Sequence, residues 1–172
     1  RTDDRSAGVY LYNPSQESST VTAYDRDRPQ GRTFALPGET TQAYSHPLAV
    51  GQSAPAFSAL RLQSSDPIWA VASADAGEQG FDWGFSFVPT QFAGREYYVS
   101  WAPGADLSPD PLPNASPVWV APLNDNTLFT VDYESGPGST PDVAFVLDAL
   151  RIHRIWDPDG DKEHHIRVTA RP

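Results

Sequence analysis

A strand–turn–strand pattern occurs twice in this chain, and it constrains the fold more than any other feature. Each occurrence consists of short apolar, β-branched or aromatic runs separated by turn-forming residues. The runs are 9–11, 19–25 and 34–36 in the first occurrence and 118–120, 127–133 and 145–147 in the second. The offset is 109 residues from Val9 to Val118 and 111 from Phe34 to Phe145. A nearly constant offset predicts an internal duplication of a β module.

The residue patterns within these runs favour strands over helices. Val21 and Ala23 alternate with polar neighbours, as in a strand with one buried face. Residues 68–72 are nearly all apolar, which predicts a central strand covered on both faces. The 17 prolines and 12 glycines disfavour long helices. Residues 142–156 come nearest to a helical period, but their β-branched and aromatic content favours strands. The sequence predicts an all-β, antiparallel β-sandwich fold.

The two copies differ in length. We expect a first β-sandwich module at 1–101 and a partial second module at 118–172. Between them, residues 102–117 contain five prolines and predict an extended connector. The second module is either cut short or packs on the first to complete one domain. The absence of an initiating methionine predicts a processed product or a piece of a longer chain.

The charge and composition exclude several classes of partner. The net charge is −10, and an acidic surface repels phosphates, so we expect no nucleic-acid partner. No apolar stretch approaches the roughly 20 residues of a membrane helix, so we expect no membrane insertion. There is no cysteine, which excludes disulfides and cysteine zinc sites.

An acidic loop is the sharpest local motif. Its carboxylates recur at every second position, at Asp157, Asp159, Asp161 and Glu163. Oxygen ligands with this spacing on a tight loop suit calcium, which is the one cofactor that the sequence suggests. The loop departs from a helical calcium-binding loop at its sixth and twelfth positions. A metal-free hairpin turn at Gly160 explains the same residues, so both interpretations remain.

An aromatic ladder gives a second candidate site. Phe81, Trp83, Phe85 and Phe87 occupy alternate positions and therefore share one face of a strand. They could pack in the core of a sandwich or form a platform that stacks on sugar rings. In the second case Trp83 and Trp101 are the ligand-binding candidates.

Sequence motifs give no support for catalysis. The nucleophile elbow, the zinc-protease helix and the phosphate-binding loop are all absent, so we predict no catalytic residues and no enzyme activity. A glycoside hydrolase would need two facing carboxylates, and the sequence alone cannot pair any two.

Several segments resemble β-repeats of large bacterial surface proteins and are similar to the IgGFc-binding-protein-like N-terminal module. The segments are 118–133, 145–150 and 154–158 in the second copy and 36–40 and 65–71 in the first. The resemblance implies a secreted, repetitive, adhesive or structural segment of a bacterial surface protein. It implies no particular site residue.

Two functions from different classes follow. The first is a non-catalytic structural or adhesive segment, extracellular or at the cell surface, with a protein or glycan partner or with self-assembly into a larger structure. The second is a carbohydrate-binding β-sandwich module that uses exposed aromatic rings.

Overall fold

A computed structural model describes residues 6–45, 58–75, 83–99, 118–133, 140–155 and 166–172. These residues form thirteen β-strands and one short 3₁₀ turn at Thr90–Phe92. Every strand pairing is antiparallel. The prediction of an all-β fold is therefore confirmed. Within this part of the chain, no helix is long and apolar enough to cross a membrane.

The strands are numbered in chain order. They are β1 Ser6–Tyr12, β2 Ser19–Asp25, β3 Arg28–Leu36, β4 Thr41–Ser45, β5 Arg61–Ser64, β6 Trp69–Asp75, β7 Trp83–Ser86, β8 Glu96–Val99, β9 Val118–Val120, β10 Thr127–Tyr133, β11 Val143–Leu147, β12 His153–Ile155 and β13 Ile166–Arg171.

The chain divides into two compact units. Unit 1 comprises Arg1–Ala56 and Leu60–Gln91, and unit 2 comprises Phe57–Ala59 and Phe92–Pro172. Unit 1 contains a four-stranded sheet in the order β4-β1-β6-β7 and a three-stranded sheet in the order β3-β2-β5. Unit 2 contains a four-stranded sheet in the order β11-β10-β13-β8 and a two-stranded sheet of β12 and β9.

In unit 1, both sheets contribute to one core. Leu11 and Tyr44 come from the four-stranded sheet, and Val21, Ala23 and Leu36 come from the three-stranded sheet. The core residues of β2 lie two positions apart, as the alternation in the sequence predicts. Burial of these apolar side chains, at about 25 cal/mol per Å², is the main force that holds the two sheets together.

Unit 2 has a separate core of the same kind. Phe129 and Val131 of β10 pack with Ile166 and Val168 of β13 and with Ile155 of β12. The two-stranded sheet therefore shares a core with the four-stranded sheet. Strands β11 and β12 lie within 142–156, where the sequence favoured strands over a helix.

Five consecutive strands pair in the same way in each unit. Strand β1 pairs with β4 and β9 pairs with β12, while β2 lies between β3 and β5 and β10 lies between β11 and β13. Two turn residues of positive φ strengthen the correspondence. Glu39 follows β3 with φ of 53° and Leu150 follows β11 with φ of 64°. They are 111 residues apart, the same offset as Phe34 and Phe145.

The position of β8 differs from the expected organisation. The sequence analysis placed it at the end of the first module, 1–101, but β8 pairs with β13 and belongs to unit 2. The physical reason is that a strand's sequence gives its period but not its partner. The predicted connector, 102–117, lies outside the described residues.

Candidate functional site

The most exposed aromatic side chain of unit 1 is Trp69, at the start of β6. Its side chain is 71% exposed, and Val71, two residues further, is 41% exposed. The sequence analysis expected residues 68–72 to be covered on both faces, and this was wrong. Strand β6 is central, because it pairs with both β1 and β7, but only one of its faces is covered.

Two tyrosines of β1 lie on the same open face. The antiparallel register places Tyr12 opposite Trp69 and Tyr10 opposite Val71. Directly opposed residues share a face, with Cβ atoms about 4.5–5.5 Å apart. Tyr10 and Tyr12 are 49% and 40% exposed. We call these four residues the aromatic face.

The other side of the same strands explains why these rings point outward. Leu11 of β1 is fully buried in the core and lies opposite Ala70 of β6. Side chains alternate between the faces of a strand, so the neighbours of a core residue are directed away from the core. The packing of Leu11 therefore fixes the outward direction of Tyr10 and Tyr12.

The surroundings of the aromatic face are small and uncharged. The register places Thr41 and Ala43 of β4 beside the tyrosines and Ser86 of β7 beside Val71. Asp75, at the far end of β6, is the only ionisable residue other than the two tyrosines at the register positions of this face on β1, β4, β6 and β7. A flat, neutral surface of rings and hydroxyls is therefore present on a chain of net charge −10.

An anchored loop lies near the end of β6 where Trp69 begins. The hydroxyls of Ser65 and Ser19 donate to Asp66 Oδ2 at 2.7 Å and 3.0 Å. These two hydrogen bonds lower the pKa of Asp66. The loop that leads into β6 is therefore tied to the first residue of β2, which helps to fix the start of the strand that carries Trp69.

The corresponding outer surface in unit 2 is polar. A shallow depression of about 200 Å³ lies on its four-stranded sheet. Its lining residues are Thr130, Asp132, Pro141, Arg167, Thr169 and Arg171. Arg167 Nε donates to Glu96 Oε1 at 2.6 Å, and this bond and the charge of Glu96 raise the pKa of Arg167. The hydroxyls of Thr130 and Thr169 are hydrogen-bonded to each other at 2.6 Å. These polar groups bind one another across the sheet, so the depression is a network of internal pairs.

The predicted site residues lie largely outside the described part of the chain. Asp157, Asp159, Asp161 and Glu163 belong to residues 156–165, and Trp101 belongs to 100–117. Trp83 starts β7 opposite Ala74, but its side chain is not described. Both the calcium site and the tryptophan site therefore stay predictions.

Two members of the aromatic ladder are described. Phe85 and Phe87 stack with ring centroids 6.0 Å apart. Phe85 lies opposite Ala72, on the side of the sheet that bears Val9 and Leu11, yet it is 52% exposed. The ladder therefore does not form the buried core of unit 1, which Leu11, Val21 and Leu36 provide.

Sequence reasoning missed Tyr10, Tyr12 and Trp69 as candidate binding residues. The signal was present, because Tyr10 and Tyr12 alternate with Val9 and Leu11. What the sequence could not supply was the pairing of β1 with β6, which brings the tyrosines beside Trp69.

Comparison with protein-family models, with curated proteins and with solved structures found no match. Among the described residues, no group of three or more His, Asp or Glu side chains is placed to hold a metal ion.

Proposed function

We propose that this chain is a non-catalytic adhesive segment of an extracellular or cell-surface protein and that the aromatic face of unit 1 is its contact surface. The observation that carries the proposal is the cross-strand placement of Tyr12 beside Trp69, with both rings exposed. Tyrosine and tryptophan are enriched at binding hot spots because they offer large rigid contact area at low entropic cost.

The alternating strand pattern gives this surface a rigid base. Leu11 is buried directly behind the tyrosines, and β6 is hydrogen-bonded on both edges. A ring held on a paired central strand needs little ordering when a ligand binds, and this reduces the entropic cost of association. The predicted duplication and the resemblance to bacterial surface repeats agree with an adhesive role and stay predictions.

The second candidate function is a carbohydrate-binding module, and the chemistry of the aromatic face favours it specifically. Aromatic rings stack on the apolar faces of sugars, and the hydroxyls of Thr41 and Ser86 lie at neighbouring register positions. Because these near neighbours carry no charge, a neutral polysaccharide fits better than an anionic one. In this form the adhesive segment would attach to a glycan.

The test is retention of the full chain on immobilised polysaccharides. Neutral polymers (cellulose, xylan and chitin) are compared with the anionic polymer alginate. We expect retention on at least one neutral polymer and none on alginate. Trp69→Ala should weaken retention at least tenfold, which corresponds to about 1.4 kcal/mol. The matched control is Trp119→Ala, since Trp119 is also exposed but lies on β9 of unit 2.

Three outcomes separate the alternatives. Retention that depends on Trp69 supports the glycan-binding function. Binding to intact cells that depends on Trp69, without retention on any polysaccharide, supports adhesion to a protein. Equal behaviour of wild type and Trp69→Ala on every surface contradicts both, and would leave a purely structural spacer. Circular-dichroism melts of each variant check that the fold is retained.

A further inference from the structure

One edge of the unit 2 sheet carries none of the usual protection against strand addition. Strand β11 is the outermost described strand on its side of the sheet, because it pairs with β10 alone. Its five residues are Val-Ala-Phe-Val-Leu, without charge, proline or glycine. Val146 is 60% exposed, and Val143 is also exposed. Such an edge offers backbone donors and acceptors beside apolar side chains.

The corresponding edge of unit 1 is protected. Strand β3 occupies the same place in its sheet, yet it contains Arg28, Pro29 and Arg32 and bends at Gly31, where φ is 79°. Its register with β2 is also irregular near Asp25. Charges, proline and irregularities are the devices that prevent edge-to-edge pairing. The chain therefore blocks one of two equivalent edges and leaves the other open.

Two carboxylates frame the open edge. Asp142 precedes β11 and its Oδ2 accepts a hydrogen bond from the Tyr133 amide at 2.8 Å. Asp148 follows β11 and its Oδ1 accepts from the Asn126 amide at 3.1 Å. These bonds to the chain's own backbone hold one negative charge at each end of the apolar strand.

The frame argues against a second copy of this chain as the occupant. If two β11 strands paired antiparallel about Phe145, Asp142 of each would face Asp148 of the other. Parallel pairing would place identical carboxylates side by side. Like charges directly opposite are destabilising, and the net charge of −10 adds general repulsion between copies. A strand with positive ends meets attraction at the same two places.

We propose that the edge of β11 receives an extended peptide segment whose apolar centre is flanked by Lys or Arg on both sides. The added strand would pair its backbone with β11, alternate side chains would contact Val146, and the cationic ends would lie against Asp142 and Asp148. This is strand addition, in which the backbone provides affinity and the ends provide specificity. It concerns a different surface from the aromatic face.

The probes are fluorescent synthetic peptides of about seven residues, measured by polarisation against the full chain. One has a centre of alternating β-branched and aromatic residues with lysine at both ends. The second has the same centre with glutamate at both ends, and the third has lysine ends and a proline in the centre. We expect the lysine-ended peptide to bind at least tenfold more tightly than either of the others. Its affinity should fall as salt is added, because the charges are exposed.

Matched variants locate the site. Val146→Lys should weaken binding at least tenfold, whereas Ala35→Lys, at the corresponding position of β3, should change it less than about twofold. Asp142→Asn with Asp148→Asn keeps both acceptor oxygens and removes both charges. It should abolish the preference for lysine ends.

Each contrary result overturns the proposal. Binding of no peptide means that the edge does not accept a strand. Equal affinity for lysine and glutamate ends means that the carboxylates do not select the partner. A dimer in sedimentation velocity that disappears in Val146→Lys would show that the occupant is a second copy. Melting curves identify any variant that fails to fold, and in that case Ala144→Lys replaces Val146→Lys.

Discussion

Units 1 and 2 share five strands and their pairing but extend different sheets. In unit 1, β6 and β7 widen the sheet that contains β1. In unit 2, β8 widens the other sheet, beside β13, and β9 pairs only with β12 among the described strands. The added β6 brings Trp69 beside Tyr12, and nothing comparable accompanies the exposed Trp119 of β9.

The comparison separates positions that the fold determines from positions that it leaves free. Inward residues agree between the units, because Phe34 stacks on Tyr44 at 5.4 Å and Phe145 stacks on Phe129 at 5.4 Å. Outward residues do not agree, since one outer face is aromatic and the other is a network of Arg, Asp and Thr. The outward positions are therefore where the two units can differ in function.

The largest expected effect concerns a turn that requires glycine in unit 1 only. A Cβ on Gly38 would lie 2.2 Å from the Gln16 carbonyl oxygen, and this backbone atom cannot rotate away. At the corresponding place, 111 residues later, unit 2 has Ala149. Gly38→Ala should lower the free energy of unfolding of unit 1 by about 3 kcal/mol. Ala149→Gly should cost only about 0.5–1 kcal/mol.

Hydrogen exchange resolves the two units in one experiment. Faster exchange in β1 and β2 of Gly38→Ala, with unchanged exchange in β10, is the expected pattern. Equal effects of the two substitutions would show that the turns are not built differently.

The second prediction concerns the two turn residues of positive φ. Glu39 and Leu150 occupy the left-handed region, which costs a residue with a side chain about 1–2 kcal/mol. Glu39→Gly should raise the free energy of unfolding by about 1 kcal/mol. Leu150→Gly should gain less, because Leu150 is half-buried and its packing is lost. Urea titrations measure both, and destabilisation by Glu39→Gly would contradict the shared turn conformation.

The smallest expected effect is a pH dependence confined to unit 1. The hydrogen bonds from Ser65 and Ser19 lower the pKa of Asp66 below its usual 3.8. The folded state therefore binds this proton less readily than the unfolded state. The stabilisation is present above pH 3.8 and is lost as the pH falls through the lowered value. Asp66→Asn should remove this part of the acid dependence, and urea titrations between pH 2 and 6 would detect it. An unchanged acid profile would argue against the contribution of Asp66.

The sequence predicted the strands better than their assembly. The alternation of Val21 and Ala23 with polar residues identified β2 and its buried face, because the period of a strand is local information. The same information could not assign β8 to β13, since pairing depends on contacts far along the chain. It also could not show that Trp69 would be exposed, because an apolar strand has the same sequence whether one face or both are covered. The acidic loop at 157–163 stays a prediction.

The central claim is that the aromatic face of unit 1 contacts the ligand. Oxidative footprinting with mass spectrometry tests it directly, on the full chain with and without the polysaccharide that retains it. We expect Trp69 and Tyr12 to be protected at least threefold by the ligand, as is typical of fully desolvated hot-spot residues. Trp119 should react at the same rate in both samples. Protection of Trp119 with unchanged Trp69, or no protection of either, would contradict the account.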